Sequence, residues 1–248
     1  MPDNIPIICP DNDSLIERAL LYFVAQYRAA THAYGQFHVA LSGGSTPARL
    51  YSALVTHVSA QTINWHMVHI YFGDERMVPT DHPDSNYRMA RQTLLDHIAI
   101  PAANIHPIPT DCDDFEECAQ RYADTLMTQL VSTKAGVPIF DLILLGIGPD
   151  GHTASLFPGT PILLEYKRPV AAVYLADKSS WRISLTYPVL NHARHLLILV
   201  SGASKQQVVY DLFGQNTDKH DYPVANLHPT GSVEWLIDAE AAQKLPGK

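Results

Sequence analysis

The chain has 248 residues, 46% of them hydrophobic and 17% charged, enough to enclose a full core and too apolar for a disordered or coiled-coil protein. A formal charge of -8 argues against nucleic acid or an anionic membrane as a general partner, so an anionic ligand would need a local basic pocket. Cys9, Cys112 and Cys118 are too few and too odd in number for a disulfide framework, which predicts thiols in a reducing compartment, and their spacing fits no zinc pattern.

Residues 5–9 form a short apolar run, and residues 14–30 carry Ile16, Leu20, Phe23, Val24 and Tyr27 at helical spacing, which predicts a strand and then a helix. A second strand, 37–41, runs into Ser42-Gly43-Gly44-Ser45-Thr46-Pro47. Thr46 suits an N-cap and Pro47 the first helical position, so a helix is predicted from there to about Val58. Strand, glycine loop and helix start together bind phosphate through converging N–H groups; a plain turn is the equally weighted alternative. Residues 67–72 read as a third strand that ends in Gly73-Asp74-Glu75-Arg76, a polar run at a carboxyl edge. His66 and His69, three apart on a strand, point to opposite faces and are set aside as a metal pair. Ser85 caps a helix predicted to run to about His97, and Asp113 and Asp114 open another, with Phe115, Cys118, Ala119, Tyr122, Leu126 and Leu130 as its buried stripe.

The stretch 140–159 carries most of the functional information. Residues 141–145 are apolar without alternation, as in strands buried on both faces of a parallel sheet, and Gly146, Gly148 and Gly151 then end the strand. Asp150, His152, Thr153 and Ser155 follow, beyond the carboxyl end, where α/β sheets bind ligands. Gly146-x-Gly148-x-x-Gly151 matches the dinucleotide fingerprint letter for letter. However, Pro158 and Gly159 interrupt the long helix it needs, and no acidic residue stands at a strand end about twenty positions on. A tight turn with a satisfied loop histidine is the bland reading of the same residues.

Residues 170–175 and 181–186 read as strands around a turn at 177–180, with Arg182 inside the second, alternating run. Another buried strand, 196–200, leads into Ser201-Gly202-Ala203-Ser204-Lys205 and a helix with Val208, Val209 and Leu212. Lys205 in a first turn opposes the helix dipole and hints at an anion there, a solvated lysine being the alternative. Residues 233–237 close the order, and strands alternate with helices throughout, so one α/β domain over 1–248 is expected, with 161–169 and 214–229 as irregular connections. No apolar run approaches the roughly 20 residues that span a bilayer, and no basic segment followed by an apolar core begins the sequence, so a soluble cytoplasmic protein is the expectation.

A parallel sheet would bring four polar strand ends to one edge: Ser42 to Thr46, Asp74 to Arg76, Asp150 to His152, and Gly202 to Lys205. Arg182, Lys205 and the glycine loop make a phosphate socket, and a histidine with an aspartate beside it moves a proton on a phosphorylated small molecule. Neither Gly-x-Ser-x-Gly nor Gly-x-x-x-x-Gly-Lys is present, which leaves a serine acyl-enzyme and ATP chemistry without support.

Leu41-Ser42-Gly43-Gly44-Ser45-Thr46-Pro47, Gly73-Asp74-Glu75-Arg76, Ser85-Asn86-Tyr87-Arg88 and the run from Gly146 to Gly159, in this order and spacing, resemble the 6-phosphogluconolactonases over nearly the whole chain. The related glucosamine-6-phosphate deaminases share the opening Asp150-Gly151-His152 but then diverge, and tend to have an aromatic residue at the place of Arg76. The resemblance implies a modified Rossmann-like three-layer sandwich with a mostly parallel central sheet, and hydrolysis of 6-phospho-D-glucono-1,5-lactone in the oxidative pentose phosphate pathway. Carried onto this sequence, His152 is the general base, Asp74 or Asp150 orients it, and Arg76 serves the lactone carbonyl or the phosphate. Ser42, Gly43, Gly44, Ser45, Thr46, Arg182 and Lys205 hold the phosphate. No metal and no cofactor is implied; the expected partner is the small phosphosugar lactone, with no nucleic acid or membrane, for a monomer or weak homodimer. A deaminase of the same socket and a phosphosugar-binding module without turnover are the competing readings.

Overall fold

The computed structural model describes residues 5–214 and 222–246. In chain order the elements begin β1 (Ile7–Cys9), α1 (Asn12–Tyr34), β2 (Phe37–Leu41), α2 (Ser45–Thr56), β3 (Val68–Phe72), β4 (Asp74–Arg76), α3 (Asn86–Thr93) and α4 (Phe115–Gln129). They continue with β5 (Leu142–Gly146), β6 (Val170–Leu175), β7 (Ser180–Leu185), α5 (Tyr187–His192), β8 (His195–Val200), α6 (Gln206–Phe213) and β9 (Ser232–Asp238). Strands made of unalternating Val, Ile, Leu and Phe pair only in parallel, in the order β1-β9-β8-β5-β2-β3, with helices on both sides. From β2 the chain steps to β3, whereas from β5 it steps the opposite way to β8. The winding therefore reverses between β2 and β5, and in a sheet of this kind the crevice beyond that point is where ligands bind.

A second sheet, β4-β7-β6, is antiparallel. It corrects the expectation that every polar strand end lies along one parallel edge, because residues 74–76 are themselves a strand rather than a loop. The chain changes sheets at Gly73, whose N–H donates to the Leu41 carbonyl (2.8 Å) and whose carbonyl accepts from Leu185 N–H (2.8 Å). Register then sets Asp74 opposite Ser184 and Arg76 opposite Arg182, which brings two arginines from distant parts of the sequence together. Buried residues of both sheets and of all six helices named above join one apolar cluster.

Two local expectations shift. Helix α2 starts at Ser45 with Gly44 as its cap, two residues before the predicted cap Thr46, because Gly44 adopts φ 107°, open to glycine, and turns the chain early. Pro47 then occupies the third helical position, still within the first turn where its missing N–H costs nothing. Ser85 caps α3 as expected, accepting from Arg88 N–H (3.1 Å), but the helix ends at Thr93 and only a short 3-10 turn follows at Leu95–His97.

Cys112 and Cys118 form a disulfide, contrary to the expectation of thiols: the turn into α4 brings their Cα atoms to 5.7 Å, within bridging range. Among the described residues no helix is long and apolar enough to cross a membrane. The connection expected at 214–229 falls partly on residues 215–221, outside the described ones; Pro223–Asn226 is a 3-10 turn.

Candidate active site

The loops after β2 and β5, at the reversal of winding, line a cavity of about 230 Å³ together with the β4–β7 pair. Ser42, Gly43, Gly44, Asp74, Arg76, His152, Arg182 and Lys205, all singled out from the sequence, face it. Asp150 stands behind His152 rather than in the lining. Ser45 and Thr46 line a neighbouring cavity of about 490 Å³ instead, since the helix begins at Ser45 and carries both side chains around its axis.

The loop after β2 is held from below. Tyr51, fully buried on α2, accepts from Ser42 N–H (2.9 Å) and donates to the Ser42 carbonyl (2.8 Å), so one phenol satisfies both backbone groups where the strand ends. Tyr122 does the same for Phe72 at the end of β3 (2.9 and 3.0 Å). No side chain caps α2, which leaves its first-turn N–H groups directed toward the crevice end of the helix with the positive end of its dipole. A Cβ on Gly43 would stand 2.1 Å from Asn86 Oδ1; glycine is needed there for close packing rather than for an unusual φ.

His152 and Asp150 form a hydrogen-bonded pair. Asp150 Oδ1 lies 2.5 Å from His152 Nδ1 and 3.3 Å from its N–H. Asp74, the alternative partner, is committed elsewhere, accepting from Ser155 Oγ (2.6 Å) and from Asn86 Nδ2 through its carbonyl (2.9 Å). Burial lowers the His152 pKa most, against the pull of Asp150 upward, and the Lys178 charge lowers it further. Burial alone would raise Asp150, but its hydrogen bond and charge contact with His152 hold it below the usual carboxylate range. An ionised Asp150 accepts, so Nδ1 carries the proton and Nε2 keeps its lone pair. Phe157 stacks on the imidazole with centroids 3.9 Å apart.

The glycine triplet has an explanation that involves no dinucleotide. A Cβ on Gly148 would fall 2.0 Å from His152 Nδ1 and 2.3 Å from Asp150 Oδ1, so this glycine makes room for the pair. Gly151 takes φ 72° with Tyr222 packed where a side chain would go. No helix follows; a bridge between Thr153 and Leu156 closes a turn in which Ala154, facing the cavity, is held at φ 47°. Such strain in a residue bearing a Cβ persists only where its surroundings enforce it.

Arg76, Lys178, Arg182 and Lys205 line the same cavity. Burial and the nearby Arg76 lower the Arg182 pKa, and its Nε and Nη1 are buried without a hydrogen-bond partner among the described residues. Burial likewise lowers Lys205. Arg76 donates Nη1 to the Asp84 carbonyl. Glu75, which the sequence left unassigned beside Asp74, is buried as a structural anchor: it accepts from the N–H groups of Arg76 (2.7 Å), Asn86 (2.8 Å) and Tyr87 (2.8 Å) and from Ser85 Oγ (3.1 Å). Burial still raises its pKa. Sequence reasoning also gave no role to Asn86, Ser155, Phe157 or Lys178, which all line the cavity. The runs Ser85-Asn86 and Ser155-Leu156-Phe157 were the available signals, whereas Lys178 in a turn had none.

Residues 10–235 match the family model described as glucosamine-6-phosphate isomerases/6-phosphogluconolactonase. A 6-phosphogluconolactonase of Synechocystis is 44% identical over 232 residues, covering 93% of this chain and 94% of the relative. One from Nostoc is 40% identical over 239 residues, covering 96% and 97%. The solved structure of 6-phosphogluconolactonase from Trypanosoma cruzi superimposes with a TM-score of 0.87 at 31% identity, over 98% of this chain and 97% of that one.

Proposed function

The chain belongs to the glucosamine-6-phosphate isomerase/6-phosphogluconolactonase family, and from that premise we propose that it hydrolyses 6-phospho-D-glucono-1,5-lactone to 6-phospho-D-gluconate, the second step of the oxidative pentose phosphate pathway. One observation carries the reading beyond its relatives' names: the buried, unpartnered nitrogens of Arg182 share a cavity with His152, the imidazole that Asp150 holds from behind. A buried donor without an acceptor costs about 1–3 kcal/mol, and a phosphoryl oxygen removes that cost while leaving the sugar ring to span toward the imidazole.

In this mechanism Arg182 and Lys205 hold the phosphate with the Gly43–Gly44 loop and the start of α2. Arg76, opposite Arg182 in the sheet register, adds charge at the same end. His152 Nε2 takes a proton from water as the water oxygen bonds to the lactone carbonyl carbon. The tetrahedral intermediate then breaks its bond to the ring oxygen, which receives the proton back from the imidazolium, and the new carboxylic acid ionises to solvent. Asp150 fixes the tautomer and stabilises the transient imidazolium. General-base assistance of this kind contributes about 10²- to 10⁴-fold, and a lactone is already an activated ester.

The test is acid release from lactone freshly formed by glucose-6-phosphate dehydrogenase, measured above the spontaneous rate, beside the same lactone without phosphate. Acceleration of the phosphorylated lactone with kcat/KM at least about 100-fold above the other is expected. No acceleration, or ammonia release from glucosamine 6-phosphate in its place, would overturn the assignment.

A further inference from the structure

Four cations line the cavity, and they do not share one environment. Arg76 and Arg182 face each other across the β4–β7 pair. Lys178 comes from the other end of β7, in the 3-10 turn Ala176–Lys178 that joins it to β6. That turn closes through Ser179 at φ 44°, and its lysine reaches back over the cavity. The Lys178 Nζ stands 4.7 Å from the centroid of Phe157, the ring on which the His152 imidazole is stacked at 3.9 Å. Phe157 is thus a common platform for the base and for an ammonium group. Among the described residues Lys178 forms no ion pair with a carboxylate, whereas Arg49, Arg91, Arg121, Arg168 and Arg194 each do.

The proposed reaction gives a cation at this end something to do. The lactone is neutral where His152 works; the tetrahedral intermediate places a negative charge on the former carbonyl oxygen, and the product bears a carboxylate there. The phosphate end keeps its charge throughout. A cation that meets charge only as it develops lowers the barrier, while one on an unchanging phosphate improves binding of substrate and transition state alike. We propose that Lys178, resting on Phe157 beside His152, is the electrostatic group for the reacting end of the substrate, stabilising the oxyanion of the lactone carbonyl and holding the product carboxylate. This inference rests on the lactonase reading above and assigns to Lys178 a role distinct from the phosphate grip of Arg182 and Lys205. Burial is the main cause that lowers the His152 pKa, and the Lys178 charge adds to it against the upward pull of Asp150.

The experiment compares wild type with Lys178→Met, which keeps the hydrocarbon stem over Phe157, and Lys178→Arg, which keeps the charge. The side chain is exposed in a turn, so neither change disturbs the core. For Lys178→Met, kcat should fall about 10-fold or more with KM changed less than about twofold, and inhibition by 6-phosphogluconate should weaken by about the same factor as kcat. The acidic limb of its kcat/KM profile should move to higher pH, as the imidazole loses a repelling neighbour. Lys178→Arg should stay within about threefold of wild type in all of these. Wild-type kcat and unchanged product inhibition in Lys178→Met would overturn the inference while leaving the lactonase reading intact. A raised KM at constant kcat would overturn it by placing Lys178 on the phosphate. Wild-type protein without lactonase activity would remove both.

Discussion

Replacing Gly148 with alanine perturbs the His152–Asp150 pair without altering either partner. The added Cβ would lie 2.0 Å from His152 Nδ1, 2.2 Å from its Cε1 and 2.3 Å from Asp150 Oδ1. Non-bonded heavy atoms settle at about 3.5 Å, so ring and carboxylate must each retreat by more than about 1 Å. The imidazole is already stacked on Phe157, and its hydrogen bond to Asp150 is short, so the displacement must break this arrangement. A shift of that size in a reacting group costs about 10²-fold in rate. Gly148 is not among the glycines with positive φ, and alanine there adds no backbone strain. The variant should therefore stay folded, with Tm within about 3 °C of wild type, while kcat on the fresh lactone drops about 100-fold. Indicator-monitored acid release, corrected for spontaneous hydrolysis, reads the rate, and thermal unfolding reads the fold. Wild-type kcat in a folded Gly148→Ala protein would refute the claim that this glycine exists to seat the pair.

Asp150→Asn removes a charge that raises the His152 pKa, so the acidic limb of kcat/KM should move to lower pH while kcat falls; a limb moved upward would contradict the pairing. Tyr51→Phe strips the hydroxyl that serves both backbone groups of Ser42 and should cost about 1–3 kcal/mol in urea unfolding together with a raised KM, unchanged stability being the contrary result. Acid should destabilise the edge of the parallel sheet, where His38, His69, His106 and Tyr71 cluster and burial pushes His38 and His106 down to about 4. Their folded values lie below the ordinary 6.5, so the stability they confer is present above that pH and lost as pH falls from 6.5 toward about 4. Allowing for solvent screening of these partly exposed rings, the loss should be about 2–3 kcal/mol by urea midpoints, and the variant His38→Gln should show a smaller one.

What could be read from the sequence followed the range of the interactions. Strands such as Leu142–Gly146 announce themselves because burial on both faces leaves no polar position, and the loops they end in are local consequences. Hence the glycine loop, His152 and Asp150 were legible, as was their meeting at the crevice. The three-residue strand Asp74–Arg76 was not, because it has no apolar pattern of its own and exists by pairing with β7, far along the chain. The same pairing decided the neighbourhood of Arg182. Glu75, left without a role in the sequence, is buried, since its cost is met by donors from α3 that only the fold brings near. Choice between Asp74 and Asp150 turned on side-chain direction, and the Cys112–Cys118 bond on the proximity created by one helix start. Neither leaves a trace in residue order.

The most direct measurement is steady-state hydrolysis of the fresh phosphorylated lactone by wild type and by His152→Gln, which keeps polarity and removes the basic nitrogen. A base acting through Nε2 predicts that kcat falls by about 10²- to 10⁴-fold with KM nearly unchanged, because the cations proposed to grip the phosphate remain. A His152→Gln protein that turns over at the wild-type rate would contradict the account.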